Sequence, residues 1–228
     1  MKYKYLLFDL DGTLCDTKIG VQRCFNYALS FFGKEEKDYS VLDDVIGPPI
    51  LDSLMVRGLS KEDAEKGLEK YRERYNKIGI FEELKVFNGM EEVLRKCKEK
   101  GYIISTATSK PEHYAKLILE KLDIAKYFDL IAGASFDESR NTKEKVLEYT
   151  MEKLNVKNKS DVLLIGDTKF DFLGAIDVGI DAVGIRFGYA KMGELEMYKN
   201  SGIFDTAKEL EEFLMKGWKM WIKLLLKM

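Results

Sequence analysis

Residues Tyr3 to Leu10, YKYLLFDL, are aromatic or aliphatic almost throughout. Such a run predicts a strand buried on both faces of a sheet. From Thr17 to about Lys85 no convincing strand follows, and helical patterns such as VQRCFNYALSFF and KEDAEKGLEKYRERYNK fill the stretch. From Gly89 the pattern turns to regular alternation. MEEVLRKCKEK, EHYAKLILEKL, TKEKVLEYTMEKL and DFLGAIDVG read as helices, and YIISTAT, DLIAGAS, DVLLIGD and DAVGIRF as the strands between and after them. Strands alternating with helices predict an α/β fold built on a doubly wound parallel sheet. The helical stretch is then an insert, residues 16–85, in a core made of residues 1–15 and 86–228.

The 228 residues, 46% hydrophobic and 33% charged, suit one large domain or one domain carrying an insertion. A net charge of -2 offers no basic field for a nucleic-acid polymer. Cys15, Cys24 and Cys97 follow no disulfide or metal-binding spacing, which predicts reduced thiols. With neither a signal-peptide pattern nor a stretch long enough to span a bilayer, the expected location is the cytoplasm.

In a doubly wound sheet, ligands bind beyond the carboxyl ends of the strands, so the residues there carry the chemistry. Asp9 and Asp11 follow the first strand, Thr108 and Ser109 close YIISTATS, and Asp167 ends DVLLIGD with Asp171 one helical turn on. Lys143 opens the helix after DLIAGAS, where a cation opposes the helix dipole. A bound phosphoryl group would account for that lysine, and Lys145 is its neighbouring rival. Lys110 is ambiguous, because a lysine in a surface turn is usually just solvated, and Ser109 is a candidate helix cap. Clustered carboxylates this close to a core need compensation, which an oxygen-lined magnesium site supplies. An aspartate can also attack phosphorus while a second one two residues on serves the leaving group as an acid. His113 has no second histidine beside it, and neither GxSxG, GxxxxGK[ST] nor an early GxGxxG is present. Serine triads and those two nucleotide-cradling loops are therefore not expected.

DLDGTL, TSK, a lysine opening a helix and GDTKFD together resemble the four ordered motifs of the haloacid dehalogenase superfamily of phosphohydrolases. The insert resembles the helical cap of the branch containing phosphoglycolate phosphatases and 5′-nucleotidases. IGPP, YRERY, SRNTK and FGYA look closer to the nucleotidase side. The resemblance implies a HAD-like, Rossmannoid core and an Mg2+-dependent phosphatase working through an aspartyl-phosphate. Asp9 would be the nucleophile and Asp11 the acid and then the base, while Thr108, Ser109 and Lys143 would hold the phosphoryl group. Mg2+ would bind Asp9, the backbone carbonyl of Asp11, and Asp167, with Asp171 as a ligand or just behind the ligands. The family's third-motif lysine often sits in a KP pair, whereas NTKEK has no proline.

The expected substrate is a small phosphorylated metabolite such as a nucleoside 5′-monophosphate or phosphoglycolate, and the expected state a monomer or homodimer. A phosphosugar mutase of the same superfamily would use the same residues. A phosphoacceptor signalling module would share the clustered aspartates, hydroxyl and lysine, but the helical insert argues against it. In the tail KGWKMWIKLLLKM, Lys216, Lys219, Lys223 and Lys227 recur at helical spacing. The tail is expected to pack on the core or a second subunit rather than on a membrane.

Overall fold

A computed structural model describes residues 2–137 and 139–216. The tail beyond Lys216, and with it the expectation of a basic amphipathic helix, lies outside the described residues. Two compact units are present, one formed by Met1–Cys15 with Val86–Met228 and the other by Asp16–Lys85.

In the first unit β1 (Tyr5–Phe8) lies at the heart of a five-stranded parallel sheet with β4 (Ile103–Thr106), β7 (Val162–Gly166), β8 (Asp181–Ile185) and β9 (Ile203–Phe204). The order is β4-β1-β7-β8-β9. All residues of β1 and β7 are buried, which is why they read as unbroken apolar runs instead of alternating ones. Alternation then divides them between the faces. Tyr5, Leu7, Val162 and Leu164 pack with Val146 and Leu147 of α6 (Lys143–Lys153) and with Phe172 and Ala175 of α7 (Lys169–Val178). Leu6, Phe8, Leu163 and Ile165, on the opposite face, are fully buried as well. Further helices are α4 (Met90–Glu99), α5 (Glu112–Lys121) and α8 (Ala207–Lys216), of which α4 and α8 pack together.

Register brings the ends of the central strands to one level. Phe8 lies opposite both Thr106 and Ile165, and the pairing continues as Asp9 N donates to Ile165 O and Ala107 N to Phe8 O. Asp9, Thr108 and Asp167 therefore leave the sheet within a residue of one another.

Two segments differ from the pattern reading. TSKP is not a turn capping a helix but a short strand, β5 (Thr108–Pro111), paired in parallel with β6 (Gly133–Ala134). Pro111, not Ser109, stands at the N-cap position of α5, and its side chain makes no capping bond. DLIAGAS runs beside β4 and β5, with Asp129 N donating to Ile104 O, Thr106 N to Leu130 O and Thr108 N to Ala132 O, but its regular strand is the two-residue β6. The pattern reading also passed over β9 and α8, one of two residues and the other close to the basic tail.

The second unit holds α1 (Lys18–Ser30), α2 (Ile50–Val56) and α3 (Lys61–Arg74), with α3 packed on the other two. Its two connections, β2 (Cys15–Asp16) and β3 (Lys85–Val86), pair as a two-stranded sheet, the exception to its all-helical pattern. Inside it, Arg74 grips the buried Glu83 through two bonds of 2.6 and 2.7 Å, and Arg23 adds a third at 2.9 Å. These bonds, Arg74 foremost, hold the Glu83 carboxyl below the usual range against the opposing effect of burial. They tie the returning segment to α1 and to the end of α3. Among the described residues no helix is long and apolar enough to cross a membrane. Arg74→Met leaves Glu83 with a single cation, so urea unfolding is expected to show a loss of about 2–3 kcal/mol.

Candidate active site

The carboxyl edge of the sheet gathers four aspartates. Asp9 (8% exposed), Asp167 (0%) and Asp171 (1%) each offer a carboxylate oxygen, and these oxygens lie within 4.8 Å of one another. Lys143, the first residue of α6, turns inward instead of to solvent: its Nζ is 2.8 Å from Asp9 Oδ1, 2.8 Å from Asp171 Oδ1 and 2.9 Å from the Ala107 carbonyl. Lys145 is exposed. Room for the Lys143 stem comes from α7, where a Cβ on Gly174 would stand 2.5 Å from Lys143 Cγ.

Each carboxylate has its own set of supports. Asp171, three residues into α7, completes a capping box with Thr168, and its Oδ2 accepts from the N–H groups of Asp167 (3.2 Å) and Thr168 (3.1 Å). Asp167 accepts from the Thr13 hydroxyl at 2.9 Å and from the Tyr189 N–H at 2.8 Å. The chain after β8 comes so close here that a Cβ on Gly188 would lie 2.3 Å from that of Asp167. Asp11 sits apart from this trio, its Oδ2 2.9 Å from Lys110 Nζ. Thr108 is buried, and its oxygen accepts from Lys110 N at 3.2 Å, which leaves its own hydrogen to be given elsewhere. Ser109 is exposed.

The structure thus brings Asp9, Asp167, Asp171 and Lys143 into direct contact, with Asp11 and Thr108 at the same edge and Ser109 facing outward. Two participants were not singled out by the sequence: Lys110, whose place in TSKP is ambiguous, and the Gly188–Tyr189 backbone that supports Asp167. FGYA was visible as a motif, but its contribution is an N–H group and a missing side chain, which residue chemistry does not announce.

Electrostatics follow from burial. Burial pushes the Asp9 carboxyl up to about 6, with the charges of Asp171 and Asp11 adding to it and Lys143 opposing it. Asp167 is raised well above the usual range by burial and then by Asp171 and Asp9, against the Tyr189 and Thr13 bonds. Burial pulls Lys143 down, but Asp171 and Asp9 outweigh it and carry its ammonium above the ordinary value. Four carboxylates face two ammonium groups, so the fully ionised cluster keeps an excess of two negative charges. An all-oxygen, buried donor set with that excess fits a hard divalent cation such as Mg2+.

The model of the haloacid dehalogenase-like hydrolases matches residues 6–185, a span that takes in every one of these side chains. The chain belongs to that family. A Pseudomonas aeruginosa protein named 5′-nucleotidase is 32% identical over 200 residues, covering 87% of this chain and 90% of its own. Mycobacterium tuberculosis "Tyrosine-protein kinase PtkA" is 34% identical over 211 residues, 92% of this chain and 72% of the relative. Among solved structures, one described as a predicted phosphatase from Clostridium acetobutylicum superposes with a TM-score of 0.87 at 36% identity, covering 95% of this chain and all of that one. The family, its Rossmannoid α/β fold and the enzyme class thus agree with the reading of DLDGTL, TSK and GDTKFD.

The raised Asp9 value has a consequence for stability. Its folded value of about 6 exceeds the 3.8 of a free carboxyl, so between these limits the folded protein binds more protons than the unfolded chain. Stability therefore falls as pH rises through that window. In chelator-treated protein, Asp9→Asn is expected to raise stability at pH 8, on the order of 3 kcal/mol at most. It should also flatten the decline between pH 4 and pH 6. Thermal unfolding of both proteins across that range checks it.

Proposed function

We propose that this hydrolase is a phosphomonoesterase in which Asp9 attacks phosphorus. The Asp9–phosphorus bond forms as the bond to the leaving oxygen breaks, and Asp11 gives that oxygen a proton. Water then attacks the aspartyl-phosphate, Asp11 takes a proton from it, and Asp9 departs as a carboxylate with release of phosphate. Thr108 donates its hydroxyl hydrogen to a phosphoryl oxygen. Lys143, already paired with Asp9 and Asp171, neutralises phosphoryl charge as it develops. Asp9 and Asp167 would hold Mg2+ with the Asp11 carbonyl. Asp171, whose Oδ2 is occupied by two backbone N–H groups, contributes chiefly by orienting Lys143 and the start of α7. When bound, the cation offsets the excess negative charge and polarises the phosphate.

The observation that carries this reading is the Lys143–Asp9 contact within a buried, all-oxygen cluster at the carboxyl edge of a parallel sheet. It places a charge-neutralising group on a candidate nucleophile that burial has stripped of water. The relative named 5′-nucleotidase favours a nucleoside 5′-monophosphate as substrate, with phosphoglycolate next by resemblance. The kinase-named relative favours a second reading, in which the phosphoryl group on Asp9 passes to a protein tyrosine hydroxyl instead of water.

Nucleoside 5′-monophosphates and phosphoglycolate, offered with Mg2+, are expected to release inorganic phosphate, with none released after exhaustive chelation. Asp9→Asn should lose about a thousandfold or more in kcat while keeping its circular dichroism spectrum. Labelled phosphate recovered on added protein instead of in solution would select the second reading.

A further inference from the structure

We propose that Lys110 is a positioning residue, whose ammonium group fixes the place of the Asp11 carboxylate and so the delivery of a proton to the leaving oxygen. The inference rests on the phosphoryl-transfer reading above. Lys110 Nζ lies 2.9 Å from Asp11 Oδ2, and the lysine side chain is 8% exposed against 24% for the aspartate. A lysine so far removed from water is held there by an anionic partner, not by hydration.

Its main chain is fixed as firmly as its side chain. Lys110 N donates to Thr108 Oγ1 at 3.2 Å. The β5–β6 pairing runs on either side of the residue, from Thr108 opposite Gly133 to Pro111 opposite Ala134. A Cβ on Gly133 would stand 2.5 Å from the Lys110 carbonyl oxygen, so the neighbouring backbone presses directly on this residue. The ammonium group is thereby delivered from a bulged strand that is paired on both sides of the residue.

The two lysines divide the work. Lys143 is committed to Asp9 and Asp171 on the side of the nucleophile. Lys110 serves Asp11, which leaves the same strand end as Asp9 and repels it. Without Lys110 the Asp11 side chain loses the ion pair that ties it to β5. In phosphoenzyme formation, a lysine that gripped the phosphoryl group itself would act on every ester alike, whereas one that acts through Asp11 matters only when the leaving group needs a proton.

Rapid-quench measurement with Mg2+-loaded protein separates these cases. Lys110→Met is expected to slow phosphoenzyme formation about tenfold or more with an alkyl phosphate such as a nucleoside monophosphate. With p-nitrophenyl phosphate, whose leaving group needs no proton, the loss should stay below about threefold, which also shows that the variant is folded. In an Asp11→Asn background the same substitution should add almost nothing, because the residue it acts through is gone. Lys110→Gln, which keeps a polar group but no charge, should follow Lys110→Met. Equal losses with both esters, or full additivity with Asp11→Asn, would overturn the role of Lys110 while leaving the mechanism standing. Absence of any phosphoenzyme in the unsubstituted protein would overturn the mechanism and this inference with it.

Discussion

Like charges crowded at one end of a parallel sheet are the constraint around which the catalytic unit is arranged. Register brings Asp9 and Asp167 to one edge: Phe8 pairs with Ile165, Asp9 N donates to Ile165 O, and Asp167 follows directly after Gly166 at the end of β7. Once the acids are there, burial makes their charges expensive. The answer is local and specific. Lys143 reaches in from α6, Lys110 from β5, and backbone N–H groups from two segments bond Asp171 and Asp167.

Two lysines inserted among close-packed elements require space, and the space comes from absent side chains. Gly174 lets the Lys143 stem pass over α7, and Gly188 lets the chain after β8 lie against Asp167. The charge arrangement thus depends on positions that carry no charge at all. It links α6 to α7 and the end of β8 to the turn after β1, so that elements far apart in the chain share one electrostatic problem.

The fold was legible where burial on both faces leaves unbroken apolar runs, as in YLLF and VLLIG, and the acids were legible because they end those runs. Lys143 could not be separated from Lys145 by local pattern, since both lie in the first turn of α6. What distinguishes them is packing onto Gly174, a residue in another helix. Lys110 is ambiguous in the sequence for a related reason. TSKP has the composition of a turn, and it becomes a strand only because Gly133 and Ala134 come alongside. The boundary of the inserted unit was visible as a change from helical pattern to alternation, but the pairing of its two connections was not, because two-residue strands have no period to detect.

That pairing bears on how such a chain can be assembled and reassembled. The backbone leaves the core at Cys15 and re-enters it at Val86 along strands that lie side by side, about 5 Å apart. A gap that narrow can be spanned by a few residues or by a whole folded segment, and the entropy of closing the longer one rises only logarithmically. The length of the inserted segment is thereby decoupled from the register of β1 with β7, on which the placing of the acids depends.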